Sequence, residues 1–417
     1  MNNIKIIRKL IVILIAVSII TLTFGLYHQE QCLAKENDSY QGKAFSLYKK
    51  VIGGSEFQSY IDLANKMANQ YGEFGVEFRE PEIWDYALTM AVNDSALKQE
   101  MSKYGSEITV TNEEAEALID KYCPTEEEVE TLMGLNDFKN KGALIDAVVQ
   151  EMEYEKFLIS KAREFKIEVT EAEVRAELEQ IKVRHILIGF NDSDGKTQRT
   201  PEQASARADE VYRKIIEGAD FQQLAGEYSD DPGSREMGGD LGPMSLAIFT
   251  RTMISEFVEG ALALREGEIS KPVKSQFGYH IIRMDQRGIP EGDEYTAKYK
   301  EVEDGLLVAK VKESPEMKEW TDQLFEAASM QMTILDPALL AYRLSNQEEW
   351  AEAAKSYQKA IKTKYYAKKW VVYLDAANAY LMLEQPAKAL KVLKKVALEA
   401  QDSSEYQDML QRAQNFE

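Results

Sequence analysis

One stretch sets the limits on how this chain folds. In a sequence of 417 residues whose periodicity is otherwise helical, Lys182-Val183-Arg184-His185-Ile186-Leu187-Ile188-Gly189 runs as a β-branched segment. Val183, His185, Leu187 and Gly189 alternate with Arg184, Ile186 and Ile188, and both sets are largely apolar. A strand of that kind is predicted to be central in its sheet, covered on both faces. The turn-rich loop Asn191-Asp192-Ser193-Asp194-Gly195 follows it. Pro201 then opens a helix carrying Ala204, Ala208, Val211, Ile215 and Ile216, and Gly218 ends that helix. A second short helix is predicted from Phe221 to Tyr228. Gly233, Gly238, Gly239 and Gly242 punctuate what comes next, around a strand near Asp240-Leu241. A helix around Glu256 to Leu264 and strands at Lys271–Lys274 and Gly278–Asp285 close an α+β module.

The flanks differ. Phe57, Tyr60, Ile61, Ala64, Met67 and Ala68 recur at helical spacing, as do Ile83, Tyr86, Ala87, Met90 and Ala91. Glu113–Tyr122 and Ala143–Phe165 read as further helices. Thr111-Asn112-Glu113-Glu114, Pro124-Thr125-Glu126-Glu127 and Thr170-Glu171-Ala172-Glu173 read as helix starts with acidic first turns. An all-α unit is therefore expected over 35–181. After Gly288-Ile289-Pro290 helices return at Val302–Val311 and Met317–Ala328, and Met330–Leu335 reads as a short strand before Asp336-Pro337. From Pro337 on, Ala341-Tyr342 matches Ala379-Tyr380 and Ala353-Ala354 matches Ala389-Leu390. These offsets of about 36–38 residues lie near the ~34-residue period of a helix–turn–helix repeat; two ordinary amphipathic hairpins are the alternative.

At the N-terminus Lys5, Arg8 and Lys9 precede an apolar run from Leu10 to Leu26. This is the pattern of an export leader, and it places the rest of the chain outside the cytoplasm, associated with the cell membrane or secreted. Either Cys32-Leu33-Ala34 serves as a cleavage site, or the run, at the short end of a spanning helix, stays as an anchor. Lipid on Cys32 is disfavoured because Glu30 and Gln31 stand where such a signal needs small residues. The other cysteine, Cys123, reads as a small buried hydrophobe. A formal net charge of −21 with no local basic patch excludes a grip on a phosphate backbone, so no nucleic-acid partner is expected.

The chain has three histidines. His28 belongs to the leader; His185 and His280 lie in the first and last strands of the α+β module. No third ligand at suitable spacing suggests a metal, and no cofactor is expected.

Four segments of this module, Lys182–Ile188, Tyr228-Ser229-Asp230-Asp231-Pro232, Gly238-Gly239-Asp240-Leu241-Gly242 and Gln276-Phe277-Gly278-Tyr279-His280-Ile281-Ile282, resemble in order and spacing the signatures of parvulin-type peptidyl-prolyl cis/trans isomerases. The resemblance covers about a quarter of the chain. It implies a four-stranded antiparallel sheet wrapped by helices, and it puts the family's paired histidines on His185 and His280. Its Cys-or-Asp position falls on Asp231, and its proline pocket on Leu241, Met253 and Phe257. Ser275 and Phe277 match positions that complete the histidine network and the pocket wall. One departure is the segment Pro243–Thr252, longer than the family's short turn, although Met253 and Phe257 keep the Met-x-x-x-Phe spacing.

The leader, an all-α segment, a parvulin module and a returning helix and strand resemble PrsA-type foldases and SurA-type chaperones. Val51-Ile52-Gly53-Gly54-Ser55 is a faint echo of the same pattern. The expected architecture is a multidomain α+β protein: a leader over 1–34, a helical chaperone-like domain over 35–181 completed by 288–337, a parvulin domain over 182–287, and tetratricopeptide-like hairpins over 338–417. The expected activity is isomerisation of X–Pro bonds in unfolded or partly folded exported polypeptides, with a possible protein partner on the C-terminal repeats. The loop Gly189–Thr200 carries Asp192 and Asp194 against Lys196 and Arg199, so no phosphate requirement is expected. A holdase or tethered scaffold with a vestigial isomerase module is the alternative.

Overall fold

The computed structural model describes residues 40–72, 76–136, 138–191 and 198–416. The leader with His28 and Cys32, and the loop residues Asp192, Asp194 and Lys196, lie outside the described residues. Among the described residues no helix is long and apolar enough to cross a membrane. The strands described are β1 (Lys43–Leu47), β2 (Lys50–Gly53), β3 (Gln180–Gly189), β4 (Asp240–Ser245), β5 (Val273–Lys274), β6 (Gly278–Gly288) and β7 (Thr333–Ile334). The chain divides into two compact units, Leu158–Ser314 and a second formed by Met1–Phe157 with Pro315–Glu417.

The Leu158–Ser314 unit holds an antiparallel sheet of order β4-β3-β6-β5. β3 lies inside it, as the two-sided apolar run requires. Ile186 and Ile188 of β3 and Ile281 of β6 face Ala204, Ala208, Val211 and Ile215 of the Pro201–Ile216 helix and Phe221, Leu224 and Ala225 of the Phe221–Tyr228 helix. The opposite face packs Ile181, Val183, Ile282 and Met284 against Phe249, Phe257 and Ala261. Residues of one strand alternate between faces, so His185, two positions from Val183, belongs to the second face. The register sets His185 opposite Ile282 and Leu187 opposite His280, which makes the two histidines diagonal neighbours on that face.

The long segment after Gly242 does not form an open loop. β4 continues to Ser245, and the Ser245 Oγ accepts the Ile248 N–H at 3.2 Å to cap a Leu246–Thr252 helix. Phe249 of that helix is fully buried, its ring 6.0 Å from that of Phe257. The unit also extends beyond the parvulin motifs. The Glu171–Leu178 helix, capped by Thr170 as its sequence predicts, packs on the Gly292–Glu313 helix, with Lys310 Nζ 2.7 Å from Glu173 Oε1.

In the other unit the helices at Gly54–Gly72, Glu80–Met101, Asn112–Tyr122 and Glu126–Leu135 follow the sequence reading, the last two with capping boxes at Thr111/Glu114 and Thr125/Glu128. Cys123 is buried with Ile119, Leu132 and Leu144. Reading this segment as all-α overlooks a β2-β1-β7 sheet. β1 and β2 form a hairpin whose turn residues, Tyr48 and Lys49, both take positive φ, 49° and 67°. Such turns are dominated by Asn and Gly, so Tyr-Lys gave no turn signal. β7, inside the strand expected at Met330–Leu335, pairs with β1. The C-terminal segment stacks helical hairpins, Pro337–Asn346 with Trp350–Ala360 and Trp370–Met382 with Pro386–Leu393, followed by Ser404–Gln414. The matched pairs Ala341/Ala379 and Ala353/Ala389 fall on corresponding helices of the two hairpins.

Candidate active site

The four polar residues expected from sequence meet in one chain of hydrogen bonds. His185 Nε2 lies 2.9 Å from Asp231 Oδ2, His185 Nδ1 lies 3.3 Å from His280 Nδ1, and His280 Nε2 lies 2.8 Å from Ser275 Oγ. The imidazole planes are near parallel, 14° apart. Both histidines and Ser275 are buried, whereas the Asp231 side chain keeps 24% of its surface exposed. The chain therefore runs from a buried serine to a carboxylate at the surface.

Donor and acceptor balance assigns the protons. The Phe277 amide donates to Ser275 Oγ at 3.1 Å, and the serine hydroxyl faces both His280 Nε2 at 2.8 Å and the Gly278 carbonyl at 3.5 Å; with both imidazoles neutral, it donates to His280 Nε2. His280 then carries its proton on Nδ1 and donates to His185 Nδ1. His185 carries its proton on Nε2 and donates to Asp231. Every polar atom is satisfied with both imidazoles neutral and Asp231 ionised. The electrostatics of two of these groups, His280 and Asp231, point the same way. Burial, aided by the neighbouring His185, pushes the His280 imidazole down to about 4. The hydrogen bond from His185 is the largest influence on Asp231; with bonds from Ser234 and Gly233 it overcomes desolvation and holds the carboxyl well below its usual range.

Phe257, from the Ser255–Leu262 helix, covers this chain on the sheet face. Its ring meets both imidazoles edge to face, with centroids 5.3 Å from each. Leu241 and Met253 are partly buried members of the same apolar cluster, so three of the four expected pocket residues are brought together. Phe277 is 54% exposed and is fixed through its backbone: its amide bonds Ser275, and its carbonyl accepts the Phe190 N–H at 3.0 Å.

Sequence reasoning missed the residues that hold Asp231 in place. Ser234 Oγ donates to Asp231 Oδ2, and the Gly233 N–H donates to Oδ1 at 3.2 Å. Ser229 Oγ accepts the amides of Leu187 and Asp231, at 3.2 and 3.3 Å, and so ties the loop to β3. The signal was present as serines flanking Asp-Asp-Pro-Gly, a composition that favours side-chain-to-backbone turns. Asp230 binds the Gly189 amide at 2.9 Å and the Arg199 guanidinium at 2.6 Å. Arg199, one of the two bases of the loop after β3, is thus already engaged. Ser234→Ala is expected to lower kcat/KM for a proline peptide about tenfold, the worth of one hydrogen bond to a charged group, while Ser234→Thr keeps most of it. Steady-state rates of the two variants check this. Among the described residues no group of three or more His, Cys, Asp or Glu is placed to hold a metal ion.

Comparison with known proteins agrees with this arrangement. A family described as PPIC-type PPIASE domain matches residues 166–287, and one described as tetratricopeptide repeat matches 346–413. A chaperone SurA of Chromohalobacter salexigens is 38% identical over 149 residues, 35% of this chain and 31% of that protein. A foldase protein PrsA of Caldanaerobacter subterraneus is 36% identical over 159 residues, covering 38% and 44%. The chain thus spans less than half the length of these two curated relatives. Foldase protein PrsA 3 of Bacillus anthracis is 31% identical over 221 residues, 49% of this chain and 69% of that protein. On that coverage, and with a PPIC-type domain built around the His185–Asp231–His280 chain, this protein belongs to the PrsA family of foldases.

Proposed function

We propose that the protein is a peptidyl-prolyl cis/trans isomerase that assists the folding of exported polypeptides. The observation that carries this reading is the continuous chain Ser275–His280–His185–Asp231 beside the apolar cluster of Leu241, Met253 and Phe257. An X–Pro bond isomerises over a barrier of ~18–20 kcal/mol because amide resonance must be lost. No nucleophile is required. Leu241, Met253, Phe257 and the exposed Phe277 ring hold the proline against a dry wall. The Asp231 carboxylate beside the substrate carbonyl disfavours the charge-separated resonance form, and so favours the twisted state over the planar one. His185, His280 and Ser275 hold Asp231 in orientation; they are positioning residues rather than acid or base.

That division of roles fixes a pH profile. The value of kcat/KM follows the protonation state of the folded enzyme. With His280 down at about 4, kcat/KM is expected to stay level from pH 8 to about 5.5 and to fall below that. A fall in rate that begins well above pH 5.5 would overturn this assignment of His280. Run on the full chain with plain and phosphorylated Ser-Pro peptides, the same assay tests substrate class. Asp230 occupies Arg199, and plain peptides are expected to be turned over at least as fast.

The remaining parts fit a foldase. The N-terminal segment 1–34 acts as leader or membrane anchor and sets the protein outside the cytoplasm. The 182–287 domain is the isomerase, and 35–181 with 288–337 serves as a helical chaperone-like part. Exposed Tyr86 of the Glu80–Met101 helix stands near exposed Tyr71 of the Gly54–Gly72 helix, whose ring lies 6.1 Å from that of exposed Phe78, an aromatic surface suited to unfolded apolar segments. The 338–417 repeats supply a protein-binding face.

A further inference from the structure

The face that the C-terminal repeats present is already occupied. The Glu80–Met101 helix packs on Pro337–Asn346 and on Trp370–Met382, the first helix of each hairpin. Its buried residues Trp84, Ala87, Leu88 and Ala91 share one core with Leu339, Ala341, Val372, Leu374 and Ala376. Trp84 lies edge-on to Tyr366 at 5.2 Å, with the Lys369 ammonium 5.5 Å over its ring.

Charges of both signs pair along this contact in an order that fixes the direction of the helix. From the helix start, Arg79 Nη2 binds Asp375 Oδ1 at 2.7 Å and its Nε lies 3.5 Å from Glu405. Glu80 pairs with Lys369. One turn on, Asp85 Oδ1 lies 2.5 Å from Arg343 Nε, whose Nη2 donates to Thr89 Oγ1 at 3.1 Å. The helix presents one cation and then two anions, and its partners the opposite signs, so a reversed helix would bring Arg79 toward Arg343. Single exposed ion pairs add little stability. Their value here is specificity, because the reversed arrangement sets like charges together.

We propose that the protein ligand of the tetratricopeptide-like repeats is this chain's own Glu80–Met101 helix, bound in cis. This rests on the reading of 338–417 as a protein-binding face and names its occupant. The repeats then act as a clamp that closes the chaperone-like unit, and an outside helix reaches that face only by displacing the resident one.

The test uses the full chain, charge-reversal variants and a labelled synthetic peptide of residues 79–101 as probe. Asp85→Arg sets two cations together. It is expected to raise hydrogen exchange at least tenfold in the Glu80–Met101 helix and in both first helices of the repeats, while β3 and β6 keep their protection. Asp85→Arg with Arg343→Asp restores the wild-type pattern. The peptide is expected to bind the Asp85→Arg chain and not the wild type. Arg79→Gln, which removes charge without repulsion, is expected to show the same change to a smaller degree should Asp85→Arg unfold the unit. Equal peptide binding to wild type and variant overturns the cis occupancy while leaving a protein-binding face. Binding to neither, with the helix exchanging independently of the repeats, overturns the protein-binding reading as well.

Discussion

Asp231→Asn is expected to lower kcat/KM about a hundredfold for a proline peptide, with the fold intact. The substitution keeps the size and planarity of the side chain and removes its charge. If Asp231 acts by repelling charge from the substrate carbonyl oxygen, the neutral amide loses most of the effect. Removing one preorganised electrostatic partner typically costs about 10²–10³ in rate. If Asp231 only braces the loop, the amide oxygen still accepts from His185 Nε2 and Ser234 Oγ, and the rate stays within about fivefold, the worth of one net hydrogen bond. The pair also makes a pH signature. A carboxyl held low by the fold favours the native state above its unfolded value of ~3.9, and that contribution is lost as pH falls through that value toward the folded one. The wild-type midpoint of urea unfolding is expected to drop between pH 5 and 3 more than that of Asp231→Asn. Suppression of client aggregation should survive the substitution, because the exposed aromatic surface around Tyr71 and Phe78 belongs to the other unit.

Gly239→Ala is expected to destabilise the Leu158–Ser314 unit by about 4 kcal/mol, a large part of the ~5–15 kcal/mol that holds a domain folded. Gly239 has φ +79°, and a Cβ there would stand 2.2 Å from the His185 carbonyl oxygen. That oxygen is strand backbone and cannot swing aside. The Gly239 carbonyl accepts the His185 N–H at 2.9 Å, so relief of the clash pulls β4 from β3 next to the His185 imidazole. Gly242→Ala is the control. Its φ is +76°, yet nothing lies within 4 Å of a Cβ there, so only the backbone strain of ~1–2 kcal/mol applies. Urea unfolding of both variants, followed by near-UV circular dichroism, measures the difference. Equal losses would place the cost in the dihedral rather than in the close approach.

Much of the isomerase unit was legible along the chain because its signals are local. Alternation over Val183–Gly189 fixed a central strand, and Pro201 and Thr170 fixed helix starts. The resemblance of four motifs to parvulin-type isomerases brought His185, Asp231, His280 and Ser275 into one hypothesis. The β1–β2 hairpin was not legible, because Tyr48 and Lys49 adopt left-handed conformations without the residues that favour them. The Leu246–Thr252 helix was hidden for a different reason. It is a single short helix, stabilised by the burial of Phe249 against the sheet rather than by its own periodicity.

The sequence by itself determined the kind of chemistry: which side chains are available, their order along the chain, and the strand alternation that points His185 and His280 to one face. It could not decide the direction of the proton chain, because a tautomer depends on what stands at each ring nitrogen, and Ser275, Ser234 and the Phe277 amide arrive there only through folding. Nor could it say that the repeats are filled. The Glu80–Met101 helix and its partners Arg343, Lys369 and Asp375 lie more than two hundred residues apart. Complementarity at that separation leaves no periodic trace in a sequence; only tertiary packing brings the charges within bonding distance.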